Sequence, residues 1–167
     1  RYYRDWYRPD LMAVVAVGDF DPAAVERMIR EHFSRIPAPS TKRTRAEFTV
    51  PDHAETLVAI VSDKEATSTS VEVYQKLPKR EEGTEASYRA GLADYLYAAM
   101  LNSRLAELAE SADPPFIGAG GGRGGLIRTK DVFSIGASVP ETSIERGLEA
   151  VLIEAERASR HGFTTGE

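Results

Sequence analysis

The chain has 167 residues, no cysteine, 42% hydrophobic residues, 28% charged residues and a formal charge of -5. That size suits one domain or two small ones, and burial of roughly 70% of the surface an unfolded chain exposes excludes a disordered one. The missing cysteines exclude a thiol nucleophile, a Cys-ligated zinc and an iron-sulfur cluster, an isoelectric point near 5.3 argues against a nucleic-acid partner, and no apolar run reaches the roughly 18 residues of a membrane span.

In chain order, residues 11–17 (Leu-Met-Ala-Val-Val-Ala-Val) form an unbroken apolar run stopped by Gly18 and predict a central strand buried on both faces. Asp21-Pro22 is a helix start, and Val25, Met28, Ile29, His32 and Phe33 follow at helical spacing. Pro37, Pro39, Ser40, Lys42, Arg43 and Arg45 interrupt both patterns and read as a linker. Residues 57–61 predict a second apolar strand. Residues 71–77 alternate as a half-buried antiparallel strand does, and the two are expected in one sheet.

Residues 84–110 carry Leu92, Leu96, Met100, Leu101, Leu105 and Leu108 at spacings of three and four, the stripe of the longest helix, which Asp113-Pro114-Pro115 ends. Residues 132–139 predict a further strand. Thr142 with Glu145 predicts a capping box for a helix with Ile144, Leu148, Val151, Leu152 and Ala155 inward, closed by a left-handed cap at Gly162 and favoured by Arg157, Arg160 and His161 at its negative end. The chain opens on Arg1 and closes on Thr164-x-x-Glu167, a spacing that signals a helix about to begin, so a piece of a longer protein is expected.

Few motifs point to chemistry. Gly120, Gly122 and Gly125 match G-x-G-x-x-G, but a dinucleotide site needs a helix N-terminus next, and Leu126-Ile127-Arg128-Thr129 leads into a strand. An irregular edge strand or a hairpin is the expected reading. His32, His53 and His161 never fall at i, i+3 or i, i+4, so no zinc site is readable, and His53-Ala54-Glu55 lacks the cysteines of a deaminase. Asp19 with Asp21 suits turn and cap duties, and acid-base work by that pair or by Glu81 with Glu82 would require a pocket. Thr67-Ser68-Thr69-Ser70 reads as a solvated turn. Lys42, Arg43 and Arg45 read as solvated linker charges open to an anionic partner. No catalytic, cofactor-binding or metal-binding residue is assigned.

Tyr2-Tyr3-x-x-Trp6-Tyr7-Arg8-Pro9-Asp10-x-Met12, Val14-Val15-x-Val17-Gly18-Asp19-Phe20-Asp21, Ile29-x-x-x-Phe33 and Ile36-Pro37 resemble the close of the first domain of bacterial zinc peptidases of the pitrilysin/insulinase family. Asp63-Lys64-Glu65, Met100-Leu101-Asn102-x-Arg104-Leu105-x-Glu107-Leu108, Pro114-Pro115-Phe116, and Glu156-Arg157 through His161-Gly162-Phe163-Thr164 resemble the inactive peptidase domain that follows it.

The resemblance implies an α+β fold, an antiparallel sheet with helices packed on one face. It implies three divisions: 1–37 as the end of the preceding peptidase domain, 38–46 as a linker, and 47–167 as the inactive peptidase domain, truncated at its C-terminus. It also implies a non-catalytic role. The domain would pack against a catalytic domain, of the same parent chain or of a paired subunit, and form part of the wall of a chamber enclosing a peptide substrate. The family's zinc is held by an H-x-x-E-H helix and a downstream glutamate. No such motif occurs here, so zinc is expected in the parent's catalytic domain and no cofactor in this segment. A periplasmic address follows by family analogy. The alternatives are a scaffold or binding subunit whose parent has no zinc site and, more weakly, nucleotide binding through the 118–125 glycines.

Overall fold

A computed structural model describes residues 1–37 and 39–167, apart from the side chain of Arg4. Ala38, inside the expected linker, lies outside the described residues. The chain divides into two compact units, Arg1–Ala46 and Glu47–Glu167.

The first unit holds α1 (Tyr2–Trp6), a 3-10 turn (Pro9–Leu11) and α2 (Pro22–Phe33). The α2 start matches the sequence: Asp21 is the cap, its Oδ1 accepting from the Ala23 N–H at 3.0 Å, with Pro22 at the first helical position. The expected central strand at 11–17 is not formed. Val15 is 81% and Val17 92% exposed, and no described strand pairs with this run. An apolar run encodes a tendency to be buried, but a strand also needs a neighbour to take its N–H and C=O groups.

The second unit is an antiparallel sheet of β1 (Thr69–Pro78), β2 (Gly118–Ile127) and β3 (Lys130–Val139), in the order β1-β3-β2, with α3 (Glu85–Ala109) and α4 (Ile144–His161). This is the expected α+β class. The odd positions of β3, Ile135, Ala137 and Val139, form one core with Leu101 and Leu105 of α3, Val151 and Ala158 of α4, and Phe116 from the turn after the two prolines. Val71 and Val73 of β1 pack against it from their places opposite Ala137 and Ile135.

Residues 57–61 form no strand and do not join β1; Ile60 and Val61 are each 91% exposed. Here too the apolar pattern finds no ladder partner among the described residues. The boundaries of α4 also differ from expectation. A 3-10 turn, Glu141–Ser143, takes up Thr142, its Ser143 N–H donating to Pro140 O at 2.9 Å, so no Thr142–Glu145 box forms and the cap position passes to Ser143. The reciprocal box appears on α3, between Thr84 and Ser87. Gly162 has the expected positive φ of 67°, but its ψ of -149° is far from left-handed helical, so it turns the chain out of the helix.

Candidate functional surface

With odd β3 positions in the core, the even positions Ser134, Gly136 and Ser138 point to the other face of the sheet. With Ser70 and Glu72 of β1 and Gly118 and Gly120 of β2 they line a shallow groove of about 390 Å³. The register places Ser70 opposite Ser138 and Glu72 opposite Gly136. Gly136 must be small, because a Cβ there would sit 2.6 Å from Glu72 Cγ. The Tyr74 hydroxyl donates to the Glu72 carboxylate. The surface thus offers hydroxyls, bare glycine backbone and one carboxylate. Its lining contains no histidine, lysine or second carboxylate, so it can hydrogen-bond a chain but presents no nucleophile with a base.

Two charge networks lie outside this groove in the second unit. At one end of the sheet Asp131 is 5% exposed; its Oδ2 accepts from the Arg80 N–H at 3.1 Å and from Arg123 Nη2 at 3.0 Å. Its Oδ1 has the Lys79 ammonium at 3.3 Å as an ion-pair partner, without a well-directed hydrogen bond. Burial works against the charge on Asp131, but these bonds outweigh it and hold the carboxyl below the usual carboxylate range. Between the helices Arg104 of α3 donates through Nε to Glu167 Oε1 at 2.6 Å and through Nη2 to Gly162 O at 3.3 Å, and its guanidinium lies 4.9 Å from the Phe163 ring centre. Glu167 Oε2 accepts from the Thr164 N–H and hydroxyl at 2.7 and 2.8 Å. The Arg104 bond first, then the two from Thr164, hold the Glu167 carboxyl down to about 2. The buried Glu154 accepts from Arg157 at 2.7 Å and faces Arg104 at 3.8 Å.

The residues singled out in the sequence are brought together only in part. The 118–125 glycines lie in edge strand β2, which turns directly into β3, so the helix N-terminus that a nucleotide site needs is not there. Packing requires a small residue at only part of the run: a Cβ on Gly121 would sit 2.9 Å from Ser134 O and one on Gly122 3.3 Å from Ala98 Cβ, whereas at Gly118, Gly124 and Gly125 it would meet nothing within 4 Å; the Gly121 N–H donates to Asn102 Oδ1 at 2.8 Å. His32 lies on α2, His53 has Nδ1 2.6 Å from Glu55 O, and His161 ends α4. Among the described residues no group of three or more His, Asp or Glu could hold a metal ion, and the donors present do not fit a zinc site. Asp21 caps α2 as expected, and Glu82 pairs with Lys79 at 2.9 Å. Thr67 and Ser68 precede β1, and Thr69 and Ser70 begin it, which corrects the solvated-turn reading for those two.

Lys42 and Arg45 are exposed, but Arg43 is half-buried, its guanidinium 4.1 Å from the Trp6 ring centre, so the linker charges are not uniformly solvated. The Asp131 and Arg104 networks were missed. The available signals were an aspartate placed just before an apolar strand and Asn102 and Arg104 interrupting an apolar helix stripe.

No helix of the described residues is long and apolar enough to cross a membrane. The chain is 33% identical over 156 residues to a zinc protease PQQL-like protein of Arabidopsis thaliana, covering 93% of this chain and 16% of that protein. It is 25% identical over 171 residues to the probable zinc protease PqqL of Escherichia coli, covering 100% and 18%. The chain therefore spans less than a fifth of these relatives. Its fold matches the crystal structure of the periplasmic protease PqqL from Escherichia coli with a TM-score of 0.72 at 22% identity, over 98% of this chain and 18% of that one. The first half of the same protease matches with a TM-score of 0.70, also at 22% identity, over 99% and 35%. The family model described as the peptidase M16 inactive domain matches residues 1–167, and this chain belongs to that family.

Proposed function

We propose that this chain is the non-catalytic portion of a zinc metalloendopeptidase that packs against the catalytic domain and forms part of the wall of a peptide-enclosing chamber. In this reading residues 1–37 close the preceding peptidase domain, 38–46 link, and 47–167 are the inactive peptidase domain. No residue here is catalytic, binds a cofactor or holds a metal; zinc belongs to the catalytic domain of the same parent chain or of a paired subunit. The observation that carries the reading is the two-faced sheet, with a helix-packed core on one side and a groove of Ser70, Ser134, Ser138 and glycine backbone on the other. Such a face can bound a volume and let an extended peptide lie along it while the reacting centre stays elsewhere. The exposed apolar run at 11–17 supports a first unit that completes a sheet in its parent. The relatives' names support a proteolytic parent, and the periplasmic Escherichia coli protease supports that compartment.

Substituting Ser138→Trp in the parent enzyme tests the wall. Cleavage of long peptides is expected to fall while cleavage of short ones and zinc content stay unchanged. Full activity on long peptides from a parent lacking 47–167 would overturn the role, and a parent that binds no zinc would favour a scaffold or binding subunit instead.

A further inference from the structure

We propose that Arg8, Asp10 and Trp6 form a clamp that makes linker residues 41–43 part of the first unit and confines any hinge to residues 44–47. Pro9 starts a 3-10 turn that sets Arg8 and Asp10 side by side, and the guanidinium grips both carboxylate oxygens, at 2.8 and 3.2 Å. The same carboxylate reaches across 33 residues to accept from the Arg43 N–H at 3.0 Å. Arg8 Nη2 also donates to Thr41 O, and the Arg43 guanidinium covers Trp6 at 4.1 Å. The Arg8 and Asp10 side chains are only 18% and 11% exposed, so solvent competes poorly for these bonds. The Arg43 N–H and then the Arg8 side chain hold the Asp10 carboxyl below its usual range, which keeps the acceptor charged.

The far end of the linker is held independently by the second unit. Phe48 O accepts from the Thr129 hydroxyl at 2.7 Å, Pro51 O accepts from Lys76, and Asp52 pairs with Lys130 at 2.7 Å. Between the Arg43 and Phe48 anchors lie four residues, a span of no more than roughly 18 Å. A tether that short leaves, between the two anchors, only those four backbone positions free of side-chain anchoring to Arg8, Asp10, Thr129, Lys76 or Lys130. Arg8-Pro9-Asp10 therefore acts as a positioning device for the linker rather than as a site for a ligand.

Residue-resolved amide hydrogen exchange on the whole chain tests this. The Arg43 amide is expected to exchange at least about tenfold more slowly than those of Thr44 and Arg45, and Asp10→Ala to abolish the difference while the α2 amides of the same unit keep their protection. Arg43→Gln keeps the N–H and removes only the cation over Trp6, so a smaller loss of about threefold is expected. If Asp10→Ala unfolds the first unit, seen as loss of α2 protection, the wild-type and Arg43→Gln rates decide. An Arg43 amide as fast as Arg45 in the wild type, one still protected in a folded Asp10→Ala variant, or one indifferent to Arg43→Gln would overturn the clamp.

Discussion

Residues 11–17 and strand β3 both read as strands in the sequence, the first as an unbroken apolar run and the second as Ile135, Ala137 and Val139 alternating with Ser134, Gly136 and Ser138. In the structure β3 is the centre of a sheet, with β1 on one edge, β2 on the other and Ile135 3% exposed, whereas residues 12–17 are exposed. Beyond that alternation, the difference lies in neighbours. β3 has a partner on each edge, and α4 and α3 close its inner face. The first run has no such partners among the described residues. Apolar sequence states a demand for burial, and the fold supplies the partner or does not.

Substitutions should separate the two regions sharply. Leu105→Ala, which removes a fully buried side chain from the core beneath β3, is expected to destabilise the second unit by about 2–5 kcal/mol, measured by chemical denaturation of the chain. A smaller effect is expected from acid. Glu167 has a folded pKa of about 2 against an ordinary 4.5, so its contribution is fully present above about pH 4.5 and is lost as pH falls through about 2. Glu167→Gln should therefore lower the melting temperature at pH 7 and flatten its dependence on pH between those values. The smallest effect is expected at the exposed run: Val17→Ser should change stability by no more than about 0.5 kcal/mol, and a loss as large as that of Leu105→Ala would show that the run is packed.

Legibility followed the range of the forces involved. The α2 cap at Asp21-Pro22, the helical period of α3, the β1 alternation and the edge-strand character of the glycine run all rest on residues within a few positions of one another and are readable, although Leu92 and Leu96 of the α3 stripe are exposed and the helix ends at Ala109, ahead of the two prolines. The Thr142–Glu145 box has the same local form, yet it gave way to a 3-10 turn in which the Ser143 N–H donates to Pro140 O. The open groove was not readable, because it joins positions 70–72, 118–120 and 134–138 through a register that no local pattern specifies.

The sequence by itself determined the α+β class, where most helices begin and end, and the family, through residues spread over the whole chain. Only the tertiary structure decided which apolar runs became strands, that Gly122 lies close to Ala98 of α3, and that Arg8, Asp131 and Arg104 each gather partners from distant segments. Helix caps and periodicity are written in neighbouring residues, whereas a ladder or a buried ion pair exists only when the whole chain brings two remote segments within hydrogen-bonding distance.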